Sequence, residues 1–217
     1  MPDVEKAEEV FSKIPYIYDK MNTLMSMGMD VFWRIKLLSI IRSAGIILDI
    51  GTGTGKLESL NSYHANFIGI DVTREMISLN GNKGHLLLAS ATELPFKKDT
   101  FDAVISAFVL RNLPSTEKYF SEAFKVLKPG GIMANLDAFP EERRVISNLF
   151  SLYFYRFIPW IMGKTRYSES YQYLARSVRE FKTPDIIVAE MERVGFSDIS
   201  IKKFVSPSAA IIYGKKI

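Results

Sequence analysis

Three glycines stand at alternate positions, Gly51, Gly53 and Gly55, directly after an apolar run broken by one acid, Asp49. Glycine at such positions lets a backbone turn sharply and pass close beneath a ligand. A phosphate-cradling loop needs a lysine followed by Ser or Thr, but Lys56 is followed by Leu57. A dinucleotide fingerprint needs its third glycine where Lys56 stands. The loop therefore suits a bulky ligand without a pyrophosphate, and Asp49 offers a carboxylate to an ammonium group. Twenty positions past Gly51, Asp71 occupies the place of an acid that reads a ribose at the end of a second strand.

An amino-acid ammonium and a ribose in one molecule describe S-adenosylmethionine, which is the expected cofactor. Its expected surroundings are Asp49, the loop residues Gly51, Thr52, Gly53, Thr54 and Gly55, and Asp71 with its neighbour Val72. Two further groups stand where chemistry could be done. Arg111 and Asn112 follow the fourth expected strand, at the end where parallel sheets hold their ligands. Tyr18, Asp19 and Asn22 share one helical face at i, i+1 and i+4, placed to close over the site from the N-terminal side. His64 and His85 lack ligand spacing, so no metal site is expected.

Positioning these residues requires an alternation of strands and helices. Val4–Met27 reads as one or two helices with Pro15 bending the path, and the helix from Val31 is expected to be capped by Gly45. Then "IILDI", "NFIGID", "HLLLAS", "TFDAVISAFVL" and "GGIMANLDAF" supply five strands with helices between them, the second of which takes Thr73 as candidate N-cap. Strands connected in this way form a parallel sheet covered on both faces. Helical segments fill 139–182, and "TPDIIVAEMERVGF" carries Thr183 as cap, Pro184 in the first turn and Gly195 past the end. "DISIKKFV" and "SAAIIYGKK" are joined too closely for a crossover and must pair antiparallel. The expectation is a single α/β, Rossmann-like domain over 1–217. It has a seven-stranded, mostly parallel sheet ending in an antiparallel hairpin, a helical cap at 1–45 and inserted helices at 139–182.

Composition narrows the class. Apolar residues make up 47% and charged residues 24% of 217 residues, the balance of a globular chain. No apolar run reaches the roughly 18 residues of a membrane span, and the charged N-terminus "MPDVEKAEEVF" has no leader-like core, so a cytoplasmic protein is expected. The formal charge of +4 is scattered, which argues against a nucleic-acid partner. No cysteine is present, which excludes thiolate chemistry.

Asp71, "ATELPF", "LKPGG" and the terminal hairpin together resemble the class I methyltransferase fold. Beyond them, "YDKMNTLMSMG" with Trp33 and Arg34, "LRN" at Leu110–Asn112, "FIPWIMG" and "SYQYLARSVREF" resemble the ubiquinone/menaquinone biosynthesis C-methyltransferase family along almost the whole chain. The resemblance implies methyl transfer from S-adenosylmethionine to a ring carbon of a prenylated hydroquinone. By position it places Thr54, Asp71, Ser90, Ala91 and Ala107 around the cofactor, and it supports Arg111 and Asn112 as the groups that stabilise a phenolate; Tyr18, on the face of the cap helix, is expected to hydrogen-bond the substrate or shuttle a proton. This sequence departs from the family pattern at Ser90, where Asp or Asn is usual, and at Ala107, where serine is common. It departs again at "LDAF" with Asp137, where the family has "LEFS", and at "SPSAAIIYG". A methyltransferase for another hydrophobic acceptor and a non-catalytic cofactor-binding protein remain as alternatives. The aromatic stretch 148–162 covers most of a helical turn with apolar side chains, and is expected to receive the prenyl tail and to touch a membrane surface peripherally.

Overall fold

The computed structural model describes residues 4–62, 65–81, 85–140, 167–204 and 209–217, with single positions between 152 and 163. Two short helices, α1 (Val4–Lys13) and α2 (Tyr18–Met25), are separated at Pro15, whose ring cannot continue a helical ladder. Gly28 turns the chain in the left-handed region, φ +80°, into α3 (Met29–Ile40). Helix α3 ends at Ile41, not at Gly45 as its composition suggests. The Gly45 amide is taken by the Asp102 carboxylate at 3.1 Å, which feeds the chain into the sheet.

The alternating portion runs β1 (Ile46–Ile50), α4 (Lys56–Ser59), β2 (Asn66–Asp71), α5 (Arg74–Leu79), β3 (Leu86–Leu88), β4 (Phe101–Ala107), α6 (Thr116–Val126) and β5 (Leu127–Ala138). Then come α7 (Ser168–Arg179), α8 (Pro184–Val194), β6 (Phe196–Lys203) and β7 (Ala209–Lys216). The strands form a seven-stranded sheet in the order β3-β2-β1-β4-β5-β7-β6. The first five are parallel, and β7 pairs antiparallel with both β5 and β6. The strand order switches direction at the parallel β1–β4 pair, which opens a crevice at their carboxyl ends.

Alternation along β1 divides the core. Leu48 and Ile50 face a layer with Tyr119, Phe120, Ile187 and Met191 from α6 and α8. Ile47 faces the opposite layer with Trp33, Leu37 and Leu38 from α3. A third cluster joins Val10, Ile14, Met21 and Met25 of α1 and α2 to Tyr171, Leu174 and Val178 of α7. The helical cap is therefore fastened to the portion of the chain that follows β5.

Local signals were obeyed unevenly. Gly195 adopts φ +113° past α8 and Pro184 opens that helix, while Thr183 holds the N-cap position without a side-chain cap bond. Thr73 also stands at an N-cap without capping α5; its amide instead donates to Asp71 Oδ1 at 2.9 Å. The "SPS" turn and His64 lie outside the described residues, as does most of 148–162. Among the described residues no helix is long and apolar enough to cross a membrane.

Candidate active site

The loop after β1 takes its shape from its glycines. Gly51, Gly53 and Gly55 have φ of +68°, +54° and +81°, a region that a side chain disfavours. Space matters as well: a Cβ on Gly55 would stand 2.5 Å from Asn80 Oδ1. The Gly51 and Thr52 amides both donate to the Ile70 carbonyl, at 2.8 and 2.9 Å, so the loop rests on the end of β2. Asn80 closes it from below, donating to the Gly53 carbonyl at 3.1 Å.

Above this loop lies a cleft of about 990 Å³, open to solvent. Nine expected cofactor residues form its wall: Gly51, Thr52, Gly53, Thr54, Asp71, Val72, Ser90, Ala91 and Ala107. Gly55 stands behind the loop against Asn80, and Asp49 lies beneath it at 1% exposure. Asp71 Oδ2 accepts from the Gly53 amide at 2.9 Å, so this acid both orders the loop and faces the ligand space. Burial pushes its carboxyl up, against the amides of Thr73 and Gly53. The Ser90 hydroxyl oxygen accepts from the Thr92 amide at 3.2 Å.

Neither Asp49 oxygen has a hydrogen-bond partner among the described residues. Burial pushes its carboxyl up to about 7; Thr52 and the Arg34 charge favour ionisation, and Asp71 and Glu58 oppose it. An orphaned acid beneath a glycine loop is suited to a ligand that brings a positive group. These residues fit S-adenosylmethionine, with Asp49 available to its ammonium end and Asp71 to its ribose.

The cap closes the opposite side. Phe11, Tyr18 and Asp19 line the cleft, the Tyr18 ring packs edge-on to Phe11 at 5.4 Å, and the Thr54 hydroxyl donates to Asp19 Oδ2 at 2.8 Å. Burial raises the Tyr18 phenol's pKa, opposed by the Arg111 charge, the Asn22 side chain and the Arg34 charge. The phenol is a proton donor at neutral pH. Asn112 also lines the cleft; its amide donates to the Phe108 carbonyl at 3.2 Å and its oxygen accepts from the Tyr173 hydroxyl at 3.2 Å.

Arg111 stands one layer back. Sequence position put its guanidinium at the reacting ring, yet Arg111 does not line the cleft. It forms a buried ion pair with Asp137 and donates to Ser177 Oγ at 3.2 Å. Burial works against its charge, and Asp137 and Tyr18 more than restore it. Burial likewise pushes the Asp137 carboxyl up while Arg111 pulls it down. Between the cleft and this pair lies Phe108, a non-glycine residue at φ +66°. Its ring has Arg111 at 5.6 Å and Arg34 at 5.0 Å.

Several of these groups escaped sequence reasoning. Tyr173 and Ser177 reach Asn112 and Arg111 from α7, and their i, i+4 spacing was the available signal. Asn80 and Phe108 gave none, because their roles rest on long-range packing.

The parallel sheet with an inserted antiparallel strand, its glycine loop and the two acids at the ends of β1 and β2 define a class I S-adenosylmethionine-dependent methyltransferase. A solved methyltransferase of Thermotoga maritima, described as a possible histamine N-methyltransferase, shares the fold with a TM-score of 0.69 at 16% identity, covering 96% of this chain and 99% of that one. An Archaeoglobus fulgidus S-adenosylmethionine-dependent methyltransferase does so with a TM-score of 0.66 at 18% identity, covering 92% and 100%. The chain belongs to the ubiE/COQ5 methyltransferase family, whose model matches residues 2–216. It is 33% identical to a ubiquinone/menaquinone biosynthesis C-methyltransferase, UbiE, of Geobacter sulfurreducens, over 98% of this chain and 89% of the relative. It is 32% identical to the UbiE of Brucella canis, over 96% and 84%.

Asp49 is expected to make cofactor binding pH-dependent. Its folded-state carboxyl is raised to about 7, so the ligand-free protein must lose a proton before the acid can face an ammonium. Affinity for S-adenosylmethionine is expected to rise as pH climbs through about 7, then to fall above roughly 8 as the ligand's own α-amino group deprotonates. Calorimetry across this range should show both limbs in the native protein and only the alkaline limb in Asp49→Asn. An unchanged acidic limb in that variant would remove Asp49 from the site.

Proposed function

We propose that this protein methylates a ring carbon of a reduced, prenylated quinone precursor. The supporting relatives are named for ubiquinone and menaquinone biosynthesis. The observation that carries the reading is the meeting of the Tyr18 phenol and the Asn112 amide on the cleft wall, with the Arg111–Asp137 pair directly behind.

A quinol ring carbon is a weak nucleophile until an adjacent hydroxyl ionises and its charge spreads into the ring. S-adenosylmethionine supplies a methyl group on a sulfonium, which leaves readily as a thioether. The chain's part is to favour the phenolate and to hold the ring in line with that methyl. Tyr18, kept protonated, donates to the developing oxyanion. Asn112 uses one amide N–H on the Phe108 carbonyl and offers the other to the substrate. Arg111 acts from behind as a positioning residue, its charge reaching Tyr18 while Asp137 and Ser177 fix its fork. A ring carbon that had accepted the methyl, with the thioether as leaving group, would pass its proton to water in the solvent-open cleft and regain aromaticity.

The tail of such a substrate needs an apolar path. Leu152, Phe157 and Trp160 are at least half exposed or close to it, and the Phe157 and Trp160 rings stack at 6.4 Å. We assign the tail, and a peripheral membrane contact, to this stretch. Burying tail carbons contributes about 0.8 kcal/mol per CH₂.

The test is incubation with S-adenosylmethionine and a panel of reduced demethylquinones, with and without prenyl tails, read by mass spectrometry. Tailed quinols should gain one methyl on carbon. In Tyr18→Phe, turnover should fall at least about tenfold while cofactor affinity changes little. Methylation of other hydrophobic acceptors with no turnover of any quinol would overturn the reading.

A further inference from the structure

On the wall of the cleft, near the glycine loop, Arg34 is only 5% exposed. A buried guanidinium ordinarily spends its donors on an acid or on carbonyls, because an unsatisfied charge away from water is costly. Among the described residues Arg34 does so only through one long ion contact, with Asp30. Its Nε has no hydrogen-bond partner. The closest acid, Asp30 Oδ2, is 3.8 Å away. That same oxygen lies 2.9 Å from Lys56 Nζ, and the other Asp30 oxygen accepts from the Ser26 hydroxyl at 3.3 Å. Two cations thus share one carboxylate, and a positive charge is left over at this end of the cleft. Asp19, a second acid on the wall, is turned to the Thr54 hydroxyl at 2.8 Å.

The location of this surplus charge is specific. Arg34 lines the cleft together with Tyr18 of the cap, Phe108 and the glycine loop that covers Asp49. An α-amino acid carries its carboxylate and its ammonium on one carbon, so whatever seats one must seat the other within a few ångströms. Neither Asp49 oxygen has a hydrogen-bond partner, and no ion pair joins Asp49 to Arg34 among the described residues. The packing of Arg34 over the Phe108 ring, 5.0 Å from the centroid, holds the planar fork in place before a ligand arrives.

We propose that Arg34 is the receptor for the carboxylate of the cofactor's methionyl portion, with Lys56 reinforcing it through the shared Asp30. The guanidinium presents parallel N–H donors to a planar carboxylate, a match that lysine cannot make. This role rests on the use of S-adenosylmethionine and is independent of which acceptor is methylated.

The test measures binding, not turnover. Dissociation constants for S-adenosylmethionine and for decarboxylated S-adenosylmethionine, which lacks only the carboxylate, are determined by calorimetry for the native protein, Arg34→Gln and Arg34→Lys. The native protein should prefer the complete cofactor by about 10- to 100-fold, the range of a charge-assisted hydrogen-bonded pair. In Arg34→Gln that preference should collapse to within about threefold through loss of affinity for the complete cofactor alone, and Arg34→Lys should fall between. Thermal melting of the ligand-free variants checks the fold; should Arg34→Gln melt early, the same comparison in Arg34→Lys decides. An undiminished preference in the variants, or equal weakening of both ligands, overturns the proposal. Because both ligands keep the ammonium and the ribose, failure here would leave the roles of Asp49 and Asp71 untouched.

Discussion

Replacing Asp137 with alanine is expected to lower the unfolding free energy by about 3–5 kcal/mol, because it strands the Arg111 guanidinium in a dry interior. Both partners are almost wholly buried, at 4% and 0% exposure, so water cannot take over the lost contact. Asp137 also accepts from the Ala138 amide at 2.7 Å and from the Arg111 amide at 3.4 Å, so its removal unfastens backbone as well as side chain. Urea denaturation should show a lower midpoint. The paired variant Asp137→Leu/Arg111→Met removes both charges together, and a buried ion pair replaced by apolar side chains of similar volume is often no less stable. It should therefore regain most of the stability while turnover stays low. A double variant that recovered full turnover would show that the pair is architectural only.

Gly51→Ala should be nearly as damaging, and chiefly to binding. At φ +68° a methyl group costs about 1–2 kcal/mol from backbone conformation alone. The new Cβ would lie 2.4 Å from Val109 Cγ2, on a β-branched side chain with little freedom to retreat. Overpacking of this kind adds about 1–3 kcal/mol. Relief is available only by moving the loop off the Ile70 carbonyl or by pushing Val109 into the cleft, and either displaces cofactor atoms. Affinity for S-adenosylmethionine should drop at least about 100-fold, equivalent to a loss of roughly 2.7 kcal/mol. A crystal-quality fold with native affinity would show that the loop accommodates a side chain, contrary to its geometry.

The parts of this site that could be read from the sequence are those encoded over short distances. The glycine spacing and the distance from Gly51 to Asp71 are local, and they point to one end of adjacent parallel strands once the alternation of elements is recognised. The terminal hairpin was legible because a short connection forbids a crossover. Chemistry that depends on depth was not legible. Asp49 reads as a wall residue, yet it lies under the loop, and only its unpartnered oxygens reveal what it awaits. Arg111 reads as a catalytic cation at the ligand end of the sheet because nothing nearby in sequence hints at Asp137, 26 positions later on β5. Arg34 was visible only as part of a family-like motif; its meaning came from counting the charges around Asp30. Gly45 looked like a helix cap and proved to be an entry point to the sheet, because a carboxylate from β4 outcompeted the helix for its amide.

The position of β7 has a consequence for how this chain reaches its fold. Strand β6 precedes β7 in the chain, yet at the edge of the sheet it pairs with β7 alone, and β7 itself fills the slot beside β5. Until β7 inserts, two separate backbone ladders stand open, one along β5 and one along β6, each a template for pairing with another molecule. The β6–β7 hairpin can close locally across its short connection, and its docking on β5 is the step that joins distant parts of the chain. The β5–β7 pairing joins residues as far apart as Ile132 and Lys215, and pairings of such separation form slowly. Conditions that prolong this stage, such as high concentration during refolding, favour intermolecular strand exchange over completion.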